Sequence, residues 1–159
     1  MEEKKLAIIA TKGTLDWGYP PFILASTAAA LGYETEIFFT FYGLQLLKKD
    51  LKLEVSPLGN PGMPMPMGMD KWFPVLGTAL PGMQALMTSM MKKKMASKGV
   101  ASLEELRELS QEADVKLIAC QMTVDLFEMD TSEFIDGVEY AGAARFFEFA
   151  GESDICLYI

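Results

Sequence analysis

The 159-residue chain contains no histidine. Catalysis by a Ser-His-Asp or Cys-His pair within this chain is therefore excluded, as are zinc, copper and non-haem iron sites that need histidine ligands. Cysteine is scarce as well, because the only two thiols, Cys120 and Cys156, are far apart in the sequence and form no C-x-x-C motif. We therefore expect no metal site, no cofactor and no disulfide framework, and this use of cysteine suits a reducing cytoplasm.

Basic residues are outnumbered, with 14 Lys and Arg against 22 Asp and Glu and a net charge of −8. No basic face is available to neutralise phosphates, so we expect no direct binding to nucleic acid. The apolar run at residues 6–10 is too short for a signal-peptide core, and we expect that nothing is cleaved. Length and a hydrophobic content of 50% predict one domain over residues 1–159.

Short apolar runs alternate with helical stretches along most of the chain. The helices are predicted from Pro21 to a stop at Gly32, in YGLQLLKKD, after Pro81, in SLEELRELSQEADV and in the second half of TSEFIDGVEYAGAARFFEFAGE. Ser102 and Glu105 form a capping box, and a stripe of Leu103, Leu106 and Leu109 should face the core. The alternation predicts an α/β fold with a parallel sheet. Its five strands are predicted in LAIIA, ETEIFFTF, LKLEVSPL, VKLIAC and DICLYI.

An insertion with unusual composition is predicted at residues 59–98. GNPGMPMPMGMD reads as a loop, and residues 72–91 carry no charge and precede three lysines. This stretch has the length of a membrane span, but its proline, glycine and polar residues dilute the hydrophobicity, so membrane association is the weaker interpretation. We expect a subunit interface or a flexible cover over a site, with an ordinary core helix as the close alternative.

Cys120 stands where a predicted strand leads into a predicted helix near Thr123. The carboxyl end of a parallel strand is the usual place for a functional site, and amide N–H groups at a helix start would stabilise a thiolate. Burial as a packing residue is an equally good interpretation, because free cysteine is often buried. Asp125 and Glu128 would oppose thiolate formation if they faced the sulfur. Cys156 lies within an apolar strand, and we expect it to be buried.

The loop after the first strand, ATKGTLDWG, should lie on the same sheet edge as Cys120. There Lys12 could steer an anionic sulfur species and Asp16 could shape a pocket. Gln121 is assigned to the same substrate-binding pocket. Solvated loop charges are the competing interpretation. The loop lacks both G-x-G-x-x-G and the P-loop pattern, so a nucleotide site is not indicated.

Several stretches together resemble the DsrE/DsrF-like sulfurtransferases, in the subgroup also labelled peroxiredoxin-family. The most specific are FFTFYGL, GVASLEEL and LIACQM, and the resemblance covers nearly the whole chain. It implies a three-layer α/β/α fold with a five-stranded, mainly parallel sheet, usually in homo- or hetero-oligomers. It also implies that Cys120 in LIACQM accepts sulfane sulfur as a persulfide, with rhodanese-like or TusA-like carriers as partners.

Two other functions stay open. Peroxide reduction would need a thiol to resolve the sulfenic acid, and Cys156 is a poor choice if its strand is buried. A non-catalytic scaffold subunit could instead dock at a membrane or in a larger complex through residues 72–91. We favour the sulfurtransferase or sulfur-carrier interpretation, which needs no metal or cofactor.

Overall fold

The computed structural model describes residues 4–58, 77 and 79–159. In this part of the chain, five parallel strands form one sheet in the order β4-β3-β2-β1-β5. The predicted α/β fold with a five-stranded parallel sheet is confirmed. The strands are β1 Lys5–Ala10, β2 Glu34–Phe39, β3 Lys116–Cys120, β4 Val138–Ala141 and β5 Ile155–Tyr158. The helices are α1 Leu15–Ala30, α2 Met83–Ser97, α3 Leu103–Glu112, α4 Gln121–Leu126 and α5 Ala143–Ala150, with 3₁₀ helices at Phe41–Leu47 and Thr131–Glu133.

One face of the sheet carries the larger hydrophobic core. Alternate strand residues such as Ile8, Ile37 and Leu117 point to this face, because side chains alternate along a strand. Helices α1 and α3 pack over them through residues that include Phe22 and Leu103. Helix α2 adds Met87, Met91 and Met95 to the same core. We call this the first core.

The opposite face carries a much smaller core, the second core. Its buried members are Ala7, Phe38, Ile118, Cys120, Phe146 and Phe149. Phe146 and Phe149 of α5 supply its outer layer, and the Phe38 and Phe146 rings lie 5.1 Å apart between centroids. Sheet and helices therefore form three layers, and the α5 layer is the thin one.

Helix α1 begins at Leu15, six residues before the predicted start at Pro21. Pro20 and Pro21 lie inside it, where each removes one backbone donor. Burial of Leu15, Tyr19 and Phe22 in the first core offsets that loss. Tertiary packing therefore decides the helix start, which local propensity alone misplaced.

The strand predicted in LKLEVSPL is wrong, and β4 was missed. Leu51, Leu53 and Val55 are buried in alternation as a strand would be, but their segment pairs with no described strand. The Val55 N–H instead donates to the Thr88 hydroxyl, and the Val55 carbonyl accepts from Gln84 of α2. The strand that completes the five is β4. Its four residues are half-exposed or exposed and lack the apolar run expected of a parallel strand.

Helix α3 carries the predicted capping box. The Glu105 N–H donates to the Ser102 hydroxyl at 3.2 Å, and the Ser102 N–H donates to the Glu105 carboxylate at 2.6 Å. The predicted leucine stripe is only partly correct, because Leu109 is exposed. Arg107 is buried in its place and donates to the carbonyls of Leu46 and Lys48, while burial lowers the pKa of its guanidinium.

The whole predicted Met/Pro/Gly loop, residues 59–70, lies outside the described residues, as do residues 71–76 and 78 of the predicted insertion. The helix predicted after Pro81 is confirmed as α2. Its packed methionines lie on the first core, on the opposite face from Cys120, so this helix does not cover the thiol. Among the helices that the structure describes, none combines the length and apolarity needed to cross a bilayer.

Candidate functional site

Cys120 is the last residue of β3 and the N-cap residue of α4. The sequence predicted this passage from strand to helix, although the helix begins at Gln121 and not near Thr123. The thiol side chain lies in the second core and is 4% exposed. Cys120 is thus buried and also at the sheet edge where parallel α/β proteins place their functional groups.

Two helices begin beside Cys120. The first is α4, which starts at the next residue. The second is α5, because Cys120 is aligned with Ala141 of β4, and Gly142 then caps α5. Neighbouring strands are about 4.8 Å apart, so the start of α5 lies about one strand spacing from Cys120. The Cys120 side chain makes no capping hydrogen bond at the start of α4.

Cys156 is exposed, which contradicts the expectation that its strand buries it. The reason is its place on β5, an edge strand of the sheet beyond the second core. Cys120 and Cys156 are on strands separated by β2 and β1, three strand spacings or about 14 Å apart across the sheet. A disulfide needs Cα atoms within about 7 Å, so these two thiols cannot pair within one folded chain.

The structure does not bring Lys12, Asp16 and Gln121 into one pocket with Cys120. The Lys12 ammonium lies 4.0 Å from the centre of the Trp17 ring, beside a shallow pocket of about 330 Å³ that Cys120 does not line. Asp16 accepts hydrogen bonds from the N–H and hydroxyl of Ser56, so it fastens the first turn of α1. Gln121 is exposed and donates to Asp125 within α4.

A group of aromatic residues, not predicted from the sequence, lies at the same edge. Phe41, Tyr42 and Phe127 contact one another, with ring centroids 5.8 to 6.4 Å apart, and all three are exposed. Thr123 of α4 is fully buried beneath them, and its hydroxyl accepts a hydrogen bond from the Phe41 N–H at 3.2 Å. The sequence TFYG directly after β2 could have indicated this group, because its aromatic residues lie beyond the point where the apolar strand ends.

A buried ion pair fixes α5 over the second core, and it was also missed. Glu36 of β2 is 1% exposed, and Arg145 of α5 donates to both of its carboxylate oxygens at 3.0 Å. Arg145 also bonds Glu139, and Lys116 approaches Glu36 at 3.5 Å. Hydrogen bonding to Glu36 raises the pKa of the Arg145 guanidinium above its ordinary value. These charges hold the helix whose Phe146 helps to bury Cys120.

Across residues 4–58, 77 and 79–159, no three Cys, Asp or Glu side chains are grouped so that they could hold a metal ion. The Cys120 thiol at this edge is a group that, as a thiolate, can attack sulfur or be displaced from it as a leaving group.

A sequence profile of the DsrE/DsrF/DrsH-like family matches residues 2–158. The chain belongs to this family. It is 84% identical over 159 residues to "Sulfur carrier protein DsrE2" of Allochromatium vinosum, with both chains covered in full. It is 33% identical to "Uncharacterized protein YrkE" of Bacillus subtilis, covering 99% of this chain and 98% of that one.

A solved structure shares the fold. The crystal structure of the YchN protein from E. coli superposes with a TM-score of 0.57 at 12% identity, covering 98% of this chain and 99% of the other. At that identity the likeness concerns the fold alone. The family resemblance and the fold class inferred from the sequence are both confirmed.

Proposed function

We propose that this protein is a sulfur carrier that holds sulfane sulfur as a persulfide on Cys120 and passes it to a partner thiol. The observation that carries the proposal is the place of Cys120, at the carboxyl end of β3 where α4 and α5 both begin. The name printed for the 84% identical relative supports the same role.

The transfer consists of two balanced displacements. The Cys120 thiolate attacks the outer sulfur of a donor persulfide, a new S–S bond forms on Cys120, and the donor leaves as a thiolate. An acceptor thiolate then attacks the outer sulfur on Cys120, which leaves as a thiolate in turn. No electrons are gained or lost overall, and no metal or cofactor enters either step.

The separation of the two cysteines favours a carrier over a peroxide reductase. Peroxide would convert Cys120 to a sulfenic acid, which needs a second thiol for its recovery. Cys156 is about three strand spacings away across the sheet and cannot supply it within the chain. Relay needs only one cysteine in the chain.

We extend the proposal to the setting in which the relay works. Rhodanese-like or TusA-like carriers would serve as donor or acceptor, the chain would form homo-oligomers, and the compartment would be the reducing cytoplasm, where thiols persist. Residues 59–98 would be an insertion within a single domain.

Intact-protein mass spectrometry after incubation with inorganic polysulfide tests the site. We expect a reductant-sensitive gain of about 32 Da per sulfur atom in wild type and in Cys156→Ser, and none in Cys120→Ser. The Cys156→Ser variant is the matched control, because it removes the other thiol from an exposed position. A gain that persists in Cys120→Ser would refute the assignment of the site.

A further inference from the structure

We propose that an exposed apolar surface at the carboxyl edge of the sheet docks the sulfur-donor protein, and that this donor presents an apolar contact ringed by basic side chains. The proposal deepens the proposed function and rests on it. We call the surface the edge patch, and its members are Phe41, Tyr42, Met122, Leu126 and Phe127.

The edge patch lies along and just beyond α4, the helix that starts directly after Cys120. Met122, Leu126 and Phe127 follow the cysteine along and just beyond α4, and Tyr42 stacks on Phe127 with centroids 5.8 Å apart. Tyr42 is 65% exposed, and the other four side chains are also exposed. Five such side chains offer several hundred Å², on the order of the largest apolar patch of a typical monomer and about half of one side of a standard interface.

The patch stands on a rigid and strained support. Phe41 has a φ of +49° and Glu128, directly after Phe127, has a φ of +48°, a region that non-glycine residues seldom adopt. The surrounding structure holds them there: the Phe41 N–H donates to buried Thr123, and Gly43 lies so close to Ala10 that a Cβ atom would meet its carbonyl oxygen. Strain of this kind concentrates at functional sites.

Acidic side chains border one side of the edge patch. Tyr42 and Phe127 line a groove of about 410 Å³ together with Glu128, Asp130 and Glu133. Among the described residues that line this groove, Lys48 is the one cation, and it is already paired with Glu133 at 2.9 Å. Beyond the groove, Asp125 of α4 is exposed, and Lys12 lies on the other side of Tyr42 over Trp17.

The acidic side chains beside the edge patch form its rim, and their charge favours some partners over others. A second copy would bring an equal acidic rim against the first, and an anionic lipid surface would be repelled in the same way. A donor with an apolar centre and Lys or Arg around it complements both parts of the surface. The docked donor would lie against α4, the helix that begins at Cys120.

Docking can be measured without sulfur transfer. Two fluorescent peptides serve as probes, each with a serine in place of the sulfur-bearing cysteine: one flanks it with Leu and Lys, the other with Ser and Glu. From fluorescence anisotropy we expect the Leu/Lys peptide to bind wild type about tenfold more tightly than the Ser/Glu peptide. This difference in affinity should shrink at high salt. Tyr42→Ser and Phe127→Ser should each weaken binding about tenfold, as loss of an aromatic anchor does.

Tyr158→Ser is the matched control, because this tyrosine is 73% exposed but lies on β5. Equal affinities for wild type and Tyr42→Ser, or an equal loss in Tyr158→Ser, would overturn the proposal. So would a self-association or an anionic-vesicle binding that both edge-patch variants abolish. Loading of wild type by inorganic polysulfide is measured in parallel, as the separate test of the carrier function. A wild type that binds the peptide but takes up no sulfur would refute the carrier function and leave the docking surface standing.

Discussion

Removal of the Arg145 side chain should both destabilise the protein and uncover Cys120. In Arg145→Met, Glu36 stays buried but loses the two hydrogen bonds of 3.0 Å that Arg145 donates. Among the described residues, the half-exposed Lys116 is the cation that remains near its carboxylate. Removing one partner of a buried pair commonly costs about 3–5 kcal/mol, and we expect about 3 kcal/mol because Lys116 gives partial compensation. Urea denaturation, followed by Trp fluorescence, measures this loss.

The second consequence concerns the thiol. Arg145 precedes Phe146, so a looser α5 should open the second core, and Cys120 should react faster with an alkylating reagent in native buffer. The assay uses a Cys156→Ser background, in which Cys120 is the only thiol. Leu103→Ala is the control, because it leaves a cavity in the first core and does not touch α5. It should lower the free energy of unfolding by about 2–5 kcal/mol, a loss comparable to that of Arg145→Met.

Two comparisons test these expectations, one of unfolding free energies and one of alkylation rates. Lys52→Met removes an exposed ion pair with Asp50 and should leave the free energy of unfolding nearly unchanged. A cost for Arg145→Met as small as that of Lys52→Met would refute the role of the buried pair. Alkylation of Cys120 at the rate found in the Leu103→Ala variant would refute the link between α5 and the thiol.

Three further predictions concern individual side chains, two by substitution and one by chemical modification. Gly43→Ala should lower the free energy of unfolding by about 1–3 kcal/mol, because the new Cβ would overlap the Ala10 carbonyl; unchanged urea unfolding would contradict this. Ser102→Ala should cost about 1 kcal/mol through loss of the capping box, measured in the same way, and a cost near zero would mean that the cap is redundant. In native wild type, alkylation followed by mass spectrometry should modify exposed Cys156 well before Cys120; the reverse order would contradict the burial of Cys120.

The sheet was predictable where strands are apolar and regular. Both β1 and β3 read as buried parallel strands from their composition alone. The segment at Leu51 and Leu53 misled the prediction, because alternating burial is the same pattern whether the backbone pairs with a strand or with side chains of α2. The short strand β4 could not be found, since it carries no apolar run.

The candidate site was predictable only in its centre. Cys120 could be placed at a strand end because β3 is unmistakable, and the family resemblance then pointed to the same residue. The pairing of Glu36 with Arg145 joins residues on distant elements, and no local pattern announces it. The exposure of Cys156 depends on how far α5 extends across the sheet, which is a property of the packed structure. The roles assigned to Lys12, Asp16 and Gln121 stay predictions.

The central claim is that sulfur passes through Cys120 and does not stay there. The direct test loads the Cys156→Ser protein with an isotopically heavy sulfane sulfur, removes the excess, and adds a reduced acceptor such as a TusA-like carrier. Intact masses of both proteins are then followed in time. We expect the heavy sulfur to leave Cys120 and appear on the acceptor in equal amount. Heavy sulfur that stays on Cys120, or that reaches the acceptor equally from a mock-loaded Cys120→Ser protein, would contradict a carrier function.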